Sequence, residues 1–148
     1  MTNMVHPVVA TGSIRKMAQF TIGEASKRSG VIVETIRYYE REGVVPAAAR
    51  TASGRRVYSR RDVAHLRFVK RCRALGFSLN DIKALLGLAL DDAPHCAEAR
   101  AIGENNLELV RAKIADLNSL ETTIEALVAH CTDGQAECPM LDDLLSEK

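Results

Sequence analysis

Residues 20–45 have the sequence FTIGEASKRSGVIVETIRYYEREGVV, and this stretch decides the fold. Thr21 is followed three positions later by Glu24, which is the pattern of a capping box at the start of a helix. We expect that helix to run to about Arg28, and a second helix to occupy residues 33–42 before a glycine ends it. Two short helices joined by a tight glycine-containing turn form a helix-turn-helix.

The next segment carries signals for a wing and two more helices. Residues 50–58 combine a glycine-containing turn with β-branched and aromatic residues, so they predict a small hairpin, or wing. The Ser-x-x-Asp patterns at 59–62 and 78–81 repeat the capping signal and predict two helices, the second ending near Leu90. A mainly α-helical winged helix-turn-helix domain is therefore expected over residues 20–90.

The charges of the chain are divided between its two parts. Residues 20–90 contain 14 Lys and Arg against 6 Asp and Glu, whereas residues 91–148 contain 4 against 13. The net charge of +1 hides this division. A basic part suits a polyanion and an acidic part avoids one, so the pattern favours a nucleic-acid partner for the first part.

In a helix-turn-helix, the second helix enters the major groove of DNA with its amino-terminal residues near the bases. Arg37 is the strongest candidate, because a guanidinium can bind guanine or phosphate through two hydrogen bonds. Ile36 and Tyr39 are expected to pack inward, while the arginines of the wing follow the phosphate backbone. The residues predicted to face DNA are Thr35, Arg37, Tyr38, Arg50, Arg55, Arg56 and Tyr58.

A single long helix is predicted from about His95 to His130, a stretch with no internal proline. Its apolar residues recur at three- and four-residue spacing, which makes one apolar stripe. Such a helix is about 50 Å long at about 1.5 Å per residue, so its stripe needs a partner. A second copy of the same helix is the simplest partner, and folding back on the chain's own first domain is the alternative. The residues predicted to form the dimer interface are Leu107, Val110, Ile114, Leu117, Ile124 and Val128.

Three cysteines lie in the acidic part of the chain: Cys96, Cys131 and Cys138. Cys96 begins the long helix and Cys131 follows its end, so within one chain they are about 50 Å apart and cannot share an ion. In an antiparallel dimer, Cys96 of one copy would approach Cys131 and Cys138 of the other. Two equivalent three-thiolate metal sites across the interface are therefore predicted. Cys72 continues an apolar helical face and is expected to be a core residue.

Thiolates select soft or borderline ions. Three cysteines without a fourth ligand favour Hg²⁺ or Pb²⁺, because structural zinc usually has four ligands. His95 or His130 could supply a fourth ligand for zinc or cadmium. A Cys131–Cys138 disulfide is the remaining alternative, and a reducing compartment disfavours it.

The amino-terminal segment shows no periodicity, so we expect residues 1–19 to be a disordered extension, with Met1, Met4 or Met17 as the translation start. It lacks the basic start and apolar block of a secretory signal, and a cytoplasmic location is expected. Beyond the DNA-binding domain, residues 91–130 are predicted to form a linker and the dimerisation helix. Residues 131–148 are predicted to form a metal-binding loop and a short terminal helix.

Several stretches of the chain resemble the MerR family of transcriptional regulators. They are FTIGEASKRSGVIVETIRYYEREGVV at 20–45, GRRVYSRRDVAHLRFVKRCRALGFSLNDIKALLGL at 54–88, PHCAEARAIGENNLELVRAKIADLNSLE at 94–121 and CPML at 138–141. The resemblance implies a winged helix-turn-helix homodimer, held by an antiparallel coiled coil, rather than an enzyme. It also implies binding to a promoter whose −10 and −35 elements are too far apart.

The resemblance further implies that the apo form represses and that the metal-bound dimer distorts DNA so that RNA polymerase can engage both elements. Cysteines at positions 96, 131 and 138 match the pattern of sensors of divalent soft ions. HCAEA at 95–99 and RAKIADL at 111–117 are most similar to the mercury-responsive branch. The short interval from Cys131 to Cys138 is closer to the cadmium and lead branch, so Hg(II) is the first expectation, with Cd(II), Pb(II) and Zn(II) as alternatives.

Two other interpretations make different predictions. A thiol enzyme or redox protein using Cys131 and Cys138 would need a general base beside a thiolate, and it would leave the basic part unexplained. A DNA-binding protein whose cysteines hold a permanent zinc ion would keep its metal under mild chelation and show no metal response in transcription.

Overall fold

The structure is a computed structural model and describes residues 18–131, 134 and 137–146. Contacts divide the chain after Leu90 into two units. The first contains the helices α1 (Ile22–Ser29), α2 (Val33–Arg41), α3 (Arg60–Ala74) and α4 (Leu79–Leu90), and the strands β1 (Ala49–Arg50) and β2 (Arg56–Val57). The second contains α5 (Cys96–Ala129) and α6 (Pro139–Leu145).

The predicted capping box at the start of α1 is confirmed. The backbone N–H of Thr21 donates to Glu24 Oε2 at 2.7 Å, and the N–H of Glu24 donates to Thr21 Oγ1 at 3.2 Å. Gly30 ends the helix in the left-handed region, with φ of 72°. This backbone conformation favours glycine, whereas the Lys70 Nζ that a Cβ would meet at 2.5 Å is the end of a flexible side chain and can move aside.

The helix-turn-helix and the helices after the wing form as predicted. α2 ends at Arg41, and Gly43 follows it with φ of 66°. Ser59 and Asp62 make a complete capping box at the start of α3. Ser78 Oγ accepts a hydrogen bond from the N–H of Asp81 at the start of α4.

The wing is a two-stranded antiparallel hairpin. β1 and β2 pair with Ala49 opposite Val57 and Arg50 opposite Arg56. Immediately after β2, Tyr58 and Phe20 exchange two backbone hydrogen bonds of 2.8 Å each. The base of the wing is therefore tied to the residue before α1.

The core of the first unit lies where its helices meet. Ile36, Leu66, Val69 and Ile82 are its largest fully buried side chains. Ile36 and Tyr39 point inward and Cys72 is buried, as the sequence predicts. Burial raises the pKa of the Cys72 thiol, which keeps it protonated and unreactive.

The sequence-based prediction that Tyr58 contacts DNA is wrong. The residue is 3% exposed and belongs to the core, and its hydroxyl donates a hydrogen bond of 2.8 Å to Glu40 Oε1. The wing hairpin reverses direction, so the tyrosine at its base faces the body of the domain while the turn stays outside. Its aromatic ring serves packing, in a unit that has few aromatic residues.

In the second unit, α5 is 34 residues long and therefore about 50 Å from end to end. In the single chain, four of the predicted interface residues are more than half exposed: Ile114, Leu117, Ile124 and Val128. Leu107 is 45% exposed, and Val110 is half-buried. The short helix α6 begins with Pro139 in its first turn, as predicted. No helix in the described part of the chain is both long and apolar enough to cross a bilayer.

Two predictions fall largely outside the described residues. The proposed disordered extension, residues 1–19, overlaps them only at its last two residues, of which Ala18 packs against the core. The proposed metal-binding loop is described at Cys131, Gly134, Glu137 and Cys138.

Candidate DNA-binding surface and metal-ligand pair

Four arginines from two different elements meet at one pocket on the first unit. Arg37 comes from α2, and Arg50, Arg55 and Arg56 come from the wing. The pocket has a volume of about 300 Å³ and is also lined by residues 21–22, at the amino end of α1. Guanidinium groups beside a helix amino terminus, which carries partial positive charge, form a surface that attracts phosphate.

The exposed face of α2 carries the other residues predicted to reach DNA. Arg37 and Tyr38 are exposed and Thr35 is half-buried. The guanidinium of Arg41 lies 5.6 Å from the centre of the Tyr38 ring. This face therefore combines hydroxyl, aromatic and cationic groups, which can contact base edges as well as the backbone.

Sequence reasoning missed Glu40, which joins α2 to the wing. Its side chain is 8% exposed. Oε1 accepts hydrogen bonds from the Tyr58 hydroxyl at 2.8 Å and the Ala48 N–H at 3.3 Å, and Oε2 lies 3.2 Å from Arg56 Nε. Burial, and next the hydrogen bond to Glu40, raise the pKa of Tyr58, so its hydroxyl stays protonated and donates. The available signal was spacing, since Glu40 lies four positions after the buried Ile36 on the same helical face.

The structure brings together two of the three predicted metal ligands. Cys131 Sγ and Cys138 Sγ are 3.7 Å apart, and both are free thiols. This separation far exceeds the bond of about 2.05 Å in a disulfide. Two thiolates bound tetrahedrally to one ion at about 2.3 Å would be about 3.8 Å apart, so the pair fits a shared soft ion.

Cys138 occupies the N-cap position of α6. Its sulfur makes no capping hydrogen bond of regular geometry, but the backbone N–H of Leu141 lies close enough to lower the pKa of the thiol. The neighbouring Cys131 thiol lowers the pKa further. Cys138 is thus predisposed to the thiolate form that binds metal.

The third predicted ligand lies at the opposite end of α5. Cys96 is exposed and begins the helix, whereas Cys131 follows its last turn. Across residues 18–131, 134 and 137–146, no three His, Cys, Asp or Glu side chains lie close enough together to hold a metal. One chain therefore presents a two-thiolate half-site and, about 50 Å away, a single thiol.

The two candidate histidine ligands are held by other groups. His95 Nε2 lies 2.8 Å from Asp91 Oδ2, and Nδ1 lies 3.8 Å from Glu98 Oε1. The hydrogen bond that His95 Nε2–H donates to the Asp91 carboxylate raises the pKa of His95, which favours the protonated ring that cannot bind metal. His130 Nδ1 is hydrogen-bonded to the carbonyl of Ala126 one turn earlier. Only its second ring nitrogen remains for another partner.

Two family descriptions match the chain and overlap along it. The family of MerR helix-turn-helix regulatory proteins matches residues 20–88, and the MerR DNA-binding family matches residues 63–127. The mercuric resistance operon regulatory protein of Serratia marcescens is 41% identical over 136 residues, which cover 90% of this chain and 93% of that protein. The chain belongs to the MerR family. It is accordingly a transcriptional regulator and not an enzyme.

Solved structures of the MerR family share the fold. A MerR regulator of Bacillus megaterium, crystallised with mercury(II), is 35% identical with a TM-score of 0.68, covering 86% of this chain and all of that one. A transcription regulator of Ralstonia metallidurans, crystallised with lead(II), is 33% identical with a TM-score of 0.73, covering 84% of this chain and 98% of that one. The mainly helical architecture, a winged helix-turn-helix followed by a long helix, is therefore that of the family.

Proposed function

We propose that this regulator is a homodimer that controls a promoter in response to a soft heavy-metal ion. The single observation that carries the proposal is the Cys131–Cys138 pair, two free thiols 3.7 Å apart that together form only part of a metal site. The relatedness to a mercuric resistance regulator supports the same conclusion. Its place of action is the cytoplasm, where thiols stay reduced.

The arginine pocket supports the DNA-binding part of the proposal. Residues 20–90 bind the promoter, with Thr35, Arg37 and Tyr38 of α2 in the major groove. The wing's Arg50, Arg55 and Arg56 bind phosphates. Arginine contacts to phosphate provide affinity that falls with salt, and α2 provides the sequence preference.

The exposed apolar stripe of α5 supports the dimer. Residues 91–130 form the linker and the dimerisation helix, which pairs antiparallel with its copy. An antiparallel pair brings Cys96 of a second copy to Cys131 and Cys138 of the first. Each metal site then has three thiolates. One chain supplies two of them from the segment 131–148, and the other chain supplies the third from the start of its α5.

Hg(II) is the proposed inducer, because three thiolates suit a soft ion of low coordination number. Pb(II) is the second candidate, because it also suits three thiolates and because a lead(II)-bound member of the family shares the fold of this chain. Cd(II) and Zn(II) require a fourth ligand, and His95 or His130 would have to leave its present partner to supply it.

Metal binding is coupled to transcription through the shape of the dimer. The apo dimer represses, and the metal-bound dimer distorts an over-long promoter spacer so that RNA polymerase engages both elements. This requires that the three thiolates bind metal better in one arrangement of the dimer than in the other, because equal affinity would change nothing. The linker at residues 91–94 adjoins Cys96, so a movement of that cysteine reaches the DNA-binding domains directly.

In vitro transcription from the promoter upstream of the gene tests the proposal, with Hg²⁺, Cd²⁺, Pb²⁺ and Zn²⁺ titrated separately. We expect repression without metal and activation at the lowest concentration by Hg²⁺. Equal transcription with and without every ion would contradict metal sensing. A response to Pb²⁺ at lower concentration than Hg²⁺ would leave sensing intact and replace the proposed ion.

The variant Cys96→Ser separates metal sensing from DNA binding. We expect it to retain promoter binding and repression and to lose activation, because it lacks one thiolate of each site. Cys72→Ser is the matched control, since Cys72 is buried in the first unit, and folded protein should still respond to metal. Normal induction of Cys96→Ser would refute the site assignment.

A further inference from the structure

Glu40 is the point at which the recognition helix and the wing are joined by side chains. Its carboxylate accepts from the Tyr58 hydroxyl and the Ala48 N–H and pairs with Arg56, all within 3.3 Å. Ala48 precedes β1. Arg56 lies in β2, and Tyr58 follows that strand. We call these four residues the Glu40 network.

One end of the Glu40 network is buried, and its other end reaches the arginine pocket. Glu40 is 8% exposed, but Arg56 is more than one-third exposed and lines the arginine pocket. The loss of any hydrogen-bond partner of a buried carboxylate costs free energy, because the charge is then left unsatisfied away from water. The positions of its partners are therefore restricted. Both strands of the wing are therefore held at a fixed position relative to α2.

The base of the wing is also attached to a part of the domain other than α2. The paired backbone hydrogen bonds between Phe20 and Tyr58 attach it to the segment before α1. That anchor, together with the buried ring of Tyr58, attaches the end of β2 to the body of the domain. Glu40 supplies a second attachment, and it lies three residues after Arg37 on the helix that enters the groove.

We propose that Glu40 is a positioning residue for DNA binding, which sets the wing's arginines and Arg37 at the spacing of one DNA surface. The inference rests on the proposed DNA-binding function. Glu40 itself touches no DNA in this account and acts through the wing. Phosphate contacts from two elements add fully only when both elements meet the duplex at once.

A purely electrostatic role for Glu40 predicts the opposite sign. If the carboxylate only neutralised Arg56, its removal would free a positive charge at the arginine pocket. DNA would then be bound more tightly, and the dependence on salt would steepen. If Glu40 positions the wing, its removal weakens binding and makes the salt dependence shallower, because wing contacts are lost.

The test compares Glu40→Gln with Glu42→Gln in the full-length protein. Glu42 follows the same helix, is about half exposed and lies beside Arg41, and its substitution changes the net charge equally. The probe is a duplex selected from a random library by the wild-type protein, with affinity measured over a range of salt. We expect Glu40→Gln to bind about tenfold more weakly than Glu42→Gln, with a salt slope smaller by about 1 to 2.

A double-mutant cycle with Arg55→Ala adds a readout that general destabilisation does not change. Arg55→Ala should weaken DNA binding in the Glu42→Gln background and have a much smaller effect in the Glu40→Gln background. Thermal unfolding of each variant establishes that it is folded at the assay temperature. Equal effects of Arg55→Ala in both backgrounds, or an unchanged or steeper salt slope, would overturn the proposal.

Tyr58→Phe keeps the test decisive if Glu40→Gln does not fold. It retains the ring in the core and the charge of Glu40 and removes one hydroxyl donor. We expect a smaller loss of affinity in the same direction, with a shallower salt slope, and unchanged binding would reject the positioning role. If the wild-type protein selects no duplex, the proposed DNA-binding function fails instead.

Discussion

The four arginines of the arginine pocket differ in their internal partners. Arg50 Nη1 donates to the Gly54 carbonyl at 2.8 Å and stiffens the turn of the wing, and Arg56 is paired with Glu40. Arg37 and Arg55 are exposed and line the same pocket. Of these two, Arg37 lies on α2, the helix proposed to enter the major groove, so it is the arginine that we test first.

Arg37→Ala should weaken binding to the selected duplex by about 1–3 kcal/mol and reduce the salt slope by about 1. The affinity of the protein for metal should stay unchanged, because Arg37 belongs to the first unit and the cysteine ligands to the second. Fluorescence anisotropy over a salt series measures both DNA quantities. Arg100→Ala, which removes the same charge from α5, is the control, and an equal effect of the two variants would contradict the assignment.

His65 carries the buried side-chain nitrogen without a hydrogen-bond partner in the described part of the chain. This atom is Nδ1, and the ring lines a small cavity with Tyr58 and Asp62. Burial, and next the nearby charge of Arg61, lower the pKa of His65 below its usual value of 6.5, with Asp62 acting weakly in the opposite direction. The folded domain thus resists protonation at this site.

A histidine whose pKa is lower when folded makes the protein less stable in acid. Above pH 6.5 the ring is neutral in both states; below it, the unfolded chain takes up the proton first, so the free energy of unfolding falls. When the pH is lowered from about 7.5 to about 5.5, wild type should lose stability relative to His65→Gln in urea unfolding, because the opposite effect of the raised pKa of His95 is common to both proteins. Identical pH dependence of wild type and His65→Gln would contradict the account.

At the scale of elements, α5 is the helix that leaves most of its apolar stripe exposed in the single chain. Most of the residues of its apolar stripe are 45% or more exposed, including Leu117 at 63%. The ion pairs of Arg100 with Glu104 and of Arg111 with Glu108 on this helix are local and exposed, so they add little stability. Packing against another apolar surface is therefore the main source of stability available to this helix.

Leu117→Glu should break the proposed dimer, because it would bury a carboxylate among apolar side chains of a second copy. We expect the dimer to weaken by about 2 kcal/mol or more, together with affinity for promoter DNA. Sedimentation equilibrium gives the association constant. Ala112→Glu places the same charge on the opposite face of α5 and should leave the dimer intact, and a stable Leu117→Glu dimer would argue for another interface.

At the scale of the whole molecule, the chain separates a basic unit, which carries the arginine pocket, from an acidic unit, which carries the three cysteines proposed as metal ligands. The division assigns the four arginines of the pocket to one unit and the proposed metal ligands to the other. The proposed metal response therefore requires that binding in the second unit change the DNA contacts of the first. In the proposed dimer, each metal site contains residues of both chains. Metal binding would therefore stabilise one arrangement of the two chains over another.

Mixed dimers test this sharing of sites. Cys96→Ser and Cys138→Ser should each abolish metal-dependent transcription as homodimers. In a heterodimer, the Cys138→Ser chain supplies Cys96 and the Cys96→Ser chain supplies Cys131 and Cys138, so one of the two sites is complete. We expect co-expression, with differently tagged chains purified in tandem, to restore one high-affinity ion per dimer. Failure to restore binding would contradict a site shared between the two chains.

Local signals in the sequence were sufficient for the helices of the first unit. The capping boxes at Thr21 and Ser59 and the turn at Gly30 involve residues within a few positions of each other. Their geometry therefore depends little on the rest of the fold. The inward positions of Ile36 and Tyr39 follow from helical periodicity for the same reason.

The sequence by itself thus determined the order of elements, the family and the residue types of both surfaces. The tertiary structure alone decided that Tyr58 is buried, that Glu40 is its partner 18 positions away, and that four arginines share one pocket. It also placed two thiols 3.7 Å apart at one end of α5. The physical reason is range: caps and helical faces are fixed by neighbours along the chain, whereas a buried carboxylate is satisfied only by groups that folding brings from elsewhere.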